Sequence, residues 1–271
     1  MAIIDKPSDF FKPKLYTGNG SSSHGITGVG FTPNWTWIKE RSQTESHFLF
    51  DTVRGNNKYI NSNGTGQEYT ESGGMAFNSD GFTLGSWNSV NENSQTYASW
   101  NWKAGTSFTN DASATGIGTI DSVGSVSTAA GFSVISYTGN GSAGATVAHG
   151  LGSTPKMIIV KRRNAAASWK VYHASVGAGY SAPLNTTGIF DEEIYPWNNT
   201  SPTSSVFSLG TTPETNGSGA TLIAYCFADV QGYSKMGSYI GTGSNSFIYT
   251  GFKIGWLLVK VSDGTNGWLV I

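Results

Sequence analysis

Short apolar runs, each closed off by Gly, Asn, Ser or Pro, recur along the whole chain. Residues 35–39 (Trp-Thr-Trp-Ile-Lys) and 156–161 (Lys-Met-Ile-Ile-Val-Lys) are rich in aromatic and β-branched side chains, and residues 96–102 and 221–227 alternate in part with a period of two. That period puts successive side chains on opposite faces of a pleated strand, so these runs predict strands. Nowhere does a 3.6-residue period sustain a helix. Asp80-Gly81 and Asp263-Gly264 predict two-residue hairpin turns, because Asp and Gly accept the positive φ that such turns demand. Short strands about ten residues apart, with turn signals between them, predict an all-β chain of tandem antiparallel β-sandwiches of the jelly-roll or lectin-like kind.

The runs also repeat. Tyr16-Thr-Gly-Asn-Gly-Ser21 recurs as Tyr137-Thr-Gly-Asn-Gly-Ser142, 121 residues on, with a looser echo at Tyr239-Ile-Gly-Thr-Gly-Ser244. Residues 30–39 align with 152–161 at an offset of 122 and with 251–260 at 221, a lysine closing all three; residues 81–85 match 206–210, and Ser99-Trp-Asn-Trp102 matches Ala224-Tyr-Cys-Phe227, at 125. A fixed period reorganises the chain. It becomes an amino-terminal arm (1–13), a first sandwich repeat (14–104), a Gly/Ser/Thr-rich connector (105–130), a second repeat (131–228) and the start of a third (229–271). The third copy is incomplete, its last residue aligning with Phe50 of the first. It is expected to be the front of a longer chain or a sheet completed by another polypeptide. The first is preferred, because an open apolar strand such as Gly267-Trp-Leu-Val-Ile271 invites aggregation. Ile117, Ile120, Val123 and Val126, three apart, suit neither strand nor helix and leave the connector's conformation open.

Composition narrows the classes. Glycine contributes 36 of 271 residues, and nine Trp within a 13% aromatic content supply the apolar surface that a disordered linker lacks. A net charge of −1 with only 12% charged residues gives no basic field for a phosphate backbone, so nucleic acid is not an expected partner. Cys226 stands alone, which excludes an intrachain disulfide and a Cys-based zinc cluster. Met1-Ala-Ile-Ile-Asp-Lys-Pro lacks the features of a signal peptide, and the densest apolar stretch, residues 254–259, is bounded by Lys253 and Lys260, so neither export by signal peptide nor a membrane partner is expected.

The repeats act as an internal control on candidate chemistry. Trp35 and Trp37 could stack on sugars, but Met157 and Ile159, and Trp256 and Leu258, stand in their places; Trp100 and Trp102 are matched by Tyr225 and Phe227. Apolar bulk is kept and aromaticity is not, which predicts core packing. His47 could be a general base, yet Trp169 and Trp268 are its equivalents; Asp51 and Arg54 could orient a substrate, yet His173 and Val176 replace them, which predicts a surface turn or interface pair. His24 and His149 recur before the long strands and read as turn residues, with no second His at metal-ligand spacing. Lys39, Lys161 and Lys260 read as strand-end lysines that snorkel to solvent, with an interface role as the alternative. Asp191, Glu192 and Glu193, with Glu68 and Glu71, could supply glycosidase carboxylates, but nothing in the sequence brings them together. No nucleophile elbow, phosphate loop or His-Glu-x-x-His occurs, so the expectation is a protein that is not an enzyme and carries no cofactor or metal.

Phe132-Ser-Val-Ile-Ser-Tyr-Thr-Gly-Asn-Gly, Val147-Ala-His-Gly-Leu-Gly-Ser-Thr-Pro-Lys-Met-Ile-Ile-Val-Lys161 and Ser168-Trp-Lys-Val-Tyr-His173 resemble a repeat domain of virion structural proteins from tailed phages, marine and cyanobacterial phages especially. The first copy is similar to a sister form, through Trp37-Ile-Lys, His47-Phe-Leu-Phe-Asp-Thr-Val-Arg-Gly55, Asn78-Ser-Asp-Gly-Phe82 and Trp100-Asn-Trp-Lys103, and Ile4-Asp-Lys-Pro-Ser-Asp-Phe10 resembles the amino terminus of such proteins. The resemblance implies a virion protein made in the host cytoplasm, a tail fibre or appendage subunit with a head decoration protein as the alternative, whose partners are other virion proteins. It also implies a homo-oligomer, and a trimer would suit a fibre. Phe10 and Phe11, an apolar pair on a polar arm, are the expected virion anchor, and residues 1–12 are expected to be removable without unfolding the sandwiches. A lectin-like alternative would bind host surface glycan through Tyr195 and Trp197 in a loop.

Overall fold

In the computed structural model, which describes residues 3–271, the alternating runs are paired strands. Copy 1 holds β1 (Phe11–Thr17), β2 (His24–Ile26), β3 (Trp35–Glu40), β4 (His47–Asp51), β5 (Lys58–Asn61), β6 (Tyr69–Thr70), β7 (Met75–Asn78), β8 (Gly81–Leu84), the one-turn helix α1 (Asn88–Asn91) and β9 (Thr96–Trp102). Then come β10 (Thr106–Asn110), a second one-turn helix α2 (Ala112–Thr115) and β11 (Ser122–Ser127). Copy 2 holds β12 (Phe132–Thr138), β13 (Ala145–Ala148), β14 (Met157–Arg162), β15 (Lys170–His173), β16 (Tyr180–Ser181), β17 (Asp191–Glu192), β18 (Val206–Leu209), α3 (Pro213–Asn216) and β19 (Thr221–Phe227). Two short strands end the chain, β20 (Leu258–Val259) and β21 (Leu269–Val270).

The two main sheets share one antiparallel order. β1-β9-β3-β4 in copy 1 corresponds strand for strand to β12-β19-β14-β15 in copy 2. The first sheet is extended past β4 by β5 and β6, the second past β12 by β11 and β10. A smaller sheet lies under each, β2-β8-β7 in copy 1 and β13-β18 in copy 2. Residues 105–130 are thus not a linker between sandwiches: they supply β10 and β11, the two outermost strands on one side of the second sheet, with β10 at its edge. Their spacing of three has a plain cause. Ile120 is buried beside β13, and Val123 and Val126 sit on opposite faces of β11, so only Val126 is buried.

Period two sorts the side chains into three cores. Ile38, Phe48, Phe50 and Tyr97 point down onto Ile26, Phe82 and Leu84 inside copy 1. Ile158, Val160, Leu222 and Ala224 do the same against Val147, Phe207 and Leu209 inside copy 2. The opposite faces of the two main sheets meet each other, Trp35, Trp37, Leu49 and Trp102 packing with Phe132, Met157, Ile159, Tyr225 and Phe227 in a shared core. The expected all-β sandwich architecture is therefore present, and the copies are not independent beads: a third core joins them. Trp35 lies at its centre, with ring centroids 4.6 Å from Tyr225 and 4.4 Å from Trp102.

Residues 229–271 lie against this shared core. Tyr233, Met236, Trp256, Leu258, Trp268 and Val270 pack on it half-buried, and β20 pairs with β21 through Leu258↔Val270 and Val259↔Leu269. Asp263-Gly264 lies inside the long 260–268 connection between these strands, so the two-residue turn expected there is not formed. At Asp80-Gly81 the tight turn exists one residue earlier. Asn78 pairs with Gly81 around Ser79 and Asp80, and a Cβ on Gly81 (φ 138°) would sit 2.1 Å from the Ile26 carbonyl oxygen.

Candidate functional site

The face where the copies meet gathers the residues with the most chemistry. β4 ends at Asp51 and turns back at once, so that the Arg54 amide donates to Asp51 Oδ1 at 2.8 Å and its guanidinium pairs with Oδ2. Both side chains are shut off from solvent. From the other copy Tyr225 Oη donates to Asp51 Oδ2 at 2.8 Å, while Arg54 also donates to the Leu49 carbonyl. Burial opposes the Arg54 charge, but Asp51, Tyr225 and Glu68 around it hold its pKa above the ordinary value. Burial, with the Asp51 carboxylate alongside, pushes the Tyr225 hydroxyl well up. A permanently charged guanidinium and a phenol locked in its protonated form make this cluster a fixed link between sheets rather than a proton-transfer device.

Further along the seam, Glu68 of copy 1 takes a forked ion pair from Arg163 of copy 2, at 2.8 and 3.2 Å, with Lys58 at 3.5 Å. Lys161 is fully buried; its Nζ crosses to the Thr65 carbonyl at 3.0 Å and also donates to Ala167 O, and burial pushes its pKa down to about 8. It does not snorkel. Of the readings for the three lysines, the interface one holds for Lys161, whereas Lys39 and Lys260 donate to carbonyls of their own hairpins, Lys39 to Glu40 and Lys260 to Val261 and Gly264. Trp169 Nε1 crosses in the same direction to the Asn61 carbonyl at 3.0 Å.

Within each copy a buried asparagine, missed in the sequence, explains the repeated Tyr-Thr-Gly-Asn-Gly-Ser. Asn91 Oδ1 accepts from the Asn19 amide, and its Nδ2 donates to Ser21 O and Gly85 O; Asn216 makes the matching bonds to Asn140, Ser142 and Gly210. Tyr16 and Tyr137 donate to Val90 O and Thr215 O, both at 2.8 Å. A Cβ on Gly18 or Gly139 would fall 2.2 or 2.5 Å from a carbonyl oxygen of the segment behind, so only glycine fits. Asn91 and Asn216 stand at the same offset of 125 as Trp100 and Tyr225, which is the signal that could have found them.

The remaining candidates fall as follows. Trp35, Trp37 and Trp102 are core, and Trp100 packs half-buried against it. His47 Nδ1 accepts from Trp37 Nε1 at 2.8 Å, and burial, with Lys39 nearby, lowers its pKa to about 4. His24 Nδ1 contacts Asn91 Oδ1 at 2.8 Å as part of the turn clamp. His149 is fully buried; its Nδ1 accepts from the Leu151 amide, so Nε2 carries the proton that reaches Thr203 O at 3.2 Å, and burial lowers its pKa to about 4. The Asp51–Arg54 pair, expected at a surface turn or interface, belongs to a buried interface. Glu193 is held by Lys170 and Ser181, and Glu68 by Arg163, so these carboxylates serve separate ion pairs; Asp191 and Glu192 lie exposed in β17, and Glu71 caps the Gly73 amide.

Two expectations are corrected. Trp197 is 1% exposed, edge-on to Tyr172 inside the copy 2 core, because a large apolar ring there displaces more water than it could on a loop; Tyr195 alone is on the surface, at 61%. The aromatic pair for a glycan is not formed. Phe10 and Phe11 are no free anchor either. Phe11 opens β1, paired with Trp102 at a ring distance of 4.9 Å, and Phe10 sits edge-on to Tyr233 while its carbonyl accepts from the Lys103 amide at 2.8 Å. Removing residues 1–12 would therefore strip the start of a sheet strand instead of a loose arm.

Among the described residues no group of three or more His, Cys, Asp or Glu side chains gathers as a metal would require, and no helix is long and apolar enough to cross a membrane. A family model described as Domain of unknown function (DUF7483) matches residues 6–271. No curated protein and no solved structure matches the chain.

Proposed function

The chain belongs to the DUF7483 domain family, and we propose that it is a non-enzymatic virion structural protein of a tailed phage, a tail fibre or related appendage subunit that assembles with other virion proteins. The observation that carries this reading is where the reactive side chains are used. Asp51, Arg54, Glu68, Lys161, Arg163 and Tyr225, the groups an active site would draw on, are consumed in joining one repeat to the next. A particle appendage needs that: stiffness along the chain without disulfides, with the polar groups locked inside. The sequence resemblance to phage repeat domains supplies the particle, and the seam supplies the mechanical role.

Gold-labelled antibody against the chain, applied to intact phage particles from the source lysate, tests it. Label at the tail is the expected result. Label over the head moves the protein to capsid decoration and overturns the appendage assignment, and absence from purified particles overturns the virion reading altogether.

A further inference from the structure

Much of copy 1's polar grip on copy 2 comes from one short strap that leaves β5, residues 61–68. The Asn61 carbonyl takes Trp169 Nε1 at 3.0 Å, the Thr65 carbonyl takes Lys161 Nζ at 3.0 Å and the Ala167 amide at 2.9 Å, and the Glu68 amide donates to the Arg163 carbonyl at 2.9 Å. Between the first two anchors lies Asn63-Gly64. Asn63 is exposed in the turn, yet its side chain is held: Oδ1 accepts from the His47 amide at 3.1 Å, capping the start of β4, and Nδ2 donates to Ser46 Oγ at 3.4 Å. Copy 2 repeats the cap. Asn185, the counterpart 122 residues on, accepts from the Trp169 amide at 2.9 Å just before β15.

The next residue differs. Copy 2 has Thr186 and copy 1 has Gly64, although the fold does not ask for glycine there: Gly64 is not among the positive-φ residues, and an added Cβ would meet no atom closer than 4.0 Å. The chemistry of the step gives the glycine another consequence. An amide nitrogen with no Cβ beside it closes readily onto the side-chain carbonyl carbon of a preceding Asn, an intramolecular attack, whereas a stiff β-branched threonine crowds it. The His47 N–H already donates to Oδ1, where negative charge develops during that attack, and the Gly64 amide has no hydrogen-bond partner among the described residues. In the repeated turns the same step is locked. The Gly20 and Gly141 amides are held by the Asn91 and Asn216 carbonyls, both at 2.8 Å, and Asn216, itself followed by Gly217, is fully buried with both side-chain atoms bonded. Asn266-Gly267 lies outside the strap.

We propose that Asn63-Gly64 is a self-modification site, at which the strap converts Asn63 to isoaspartate and aspartate and so slackens copy 1's grip on copy 2. The Gly64 nitrogen bonds to Asn63 Cγ and gives up its proton; the Cγ–Nδ2 bond breaks, and ammonia leaves with that proton. Water then opens the five-membered imide. Entry at Cγ leaves aspartate. Entry at the main-chain carbonyl carbon leaves isoaspartate, whose backbone runs through Cβ and Cγ and is therefore one carbon longer between the Asn61 and Thr65 anchors. No cofactor or second protein takes part, and the inference does not rest on the virion reading.

The test ages the full chain in mildly alkaline buffer and reads each Asn by digestion and mass spectrometry, with an isoaspartyl methyltransferase marking the lengthened product. Conversion at Asn63, with Asn19, Asn140 and Asn185 still amides, is the expected result, and it should be lost in Gly64→Thr, the residue copy 2 carries. Hydrogen exchange on the aged protein gives the second readout: the Ala167 and Glu68 amides, which cross between the copies, should exchange faster than in fresh protein, and aged Gly64→Thr should keep them slow. No conversion at residue 63, equal conversion at Asn185, or undiminished conversion in Gly64→Thr would overturn the modification site. Unchanged exchange at Ala167 in the converted chain would overturn the slackening of the strap.

Discussion

Copy 1 turns Trp35, Trp37, Trp100 and Trp102 toward the seam, whereas copy 2 turns Met157, Ile159, Tyr225 and Phe227 there. The strand order beneath is the same, and so is the clamp of Tyr, Gly and buried Asn that closes each copy's own sandwich. The Tyr-Thr-Gly-Asn-Gly-Ser segment of that clamp is repeated letter for letter, whereas the faces that meet the neighbouring copy differ in chemistry. Two identical faces of four Trp each would collide, since a close-packed interior has no spare volume, and the smaller Met157 and Ile159 leave room for the Trp35 and Trp37 rings. The same division governs charge. Asp51 and Arg54 exist only in copy 1, and copy 2 answers with a phenol, Tyr225, in place of Trp100.

The largest way to break this comparison is to remove one half of the buried pair. Arg54→Met leaves the Asp51 carboxylate uncompensated between the sheets and should cost about 3–5 kcal/mol in urea unfolding. Trp35→Ala empties the centre of the seam and should cost a similar about 3–5 kcal/mol, while Trp35→Met, the residue copy 2 carries, should cost less. The repeated clamp should behave alike in both copies. Asn91→Ala and Asn216→Ala each strand several buried partners and should each lose about 2–3 kcal/mol, additively, because they sit in separate cores; a marked inequality would show that the copies do not share one internal design.

Acid gives a smaller effect of defined sign. His149 and His47 have folded pKa values lowered to about 4, so the unfolded chain binds their protons first. Their contribution is fully present above the unfolded pKa of about 6.5 and is lost as pH falls from there toward 4. For His149 the loss approaches about 3 kcal/mol, and His149→Gln should flatten that part of a stability-against-pH curve measured by denaturant midpoints. Smallest of all, Tyr195→Ala should change stability by less than about 0.5 kcal/mol, in contrast with Trp197→Ala two residues on, because only the second ring lies in a core.

Strands and repeats were legible because they depend on local period, whereas of the two Asp-Gly turns one forms a residue earlier and the other does not form. Comparison of the copies also marked Trp35 and Trp37 as core, yet neither it nor alternation says which sheet covers a given face, and so the seam stayed hidden. Residues 105–130 were unreadable for another reason: β11, one strand in from the edge, is built largely from Ser and Gly, with Val126 buried and Val123 exposed, too little apolar pattern to register. Asp51 and Arg54 were recognised as a pair, but their burial depends on Tyr225, 174 residues away. Trp197 looked like a loop residue because it follows a proline in a polar stretch, and only the tertiary fold carries it inward.

The most direct test of the shared seam is native-state hydrogen exchange, resolved by residue, on Trp35→Ala. If the copies are joined through one core, the slowest amides of β14 and β19 in copy 2 lose the same free energy as those of β3 and β9 in copy 1. Loss confined to copy 1, with β14 and β19 as protected as before, would contradict it and return the repeats to independent sandwiches.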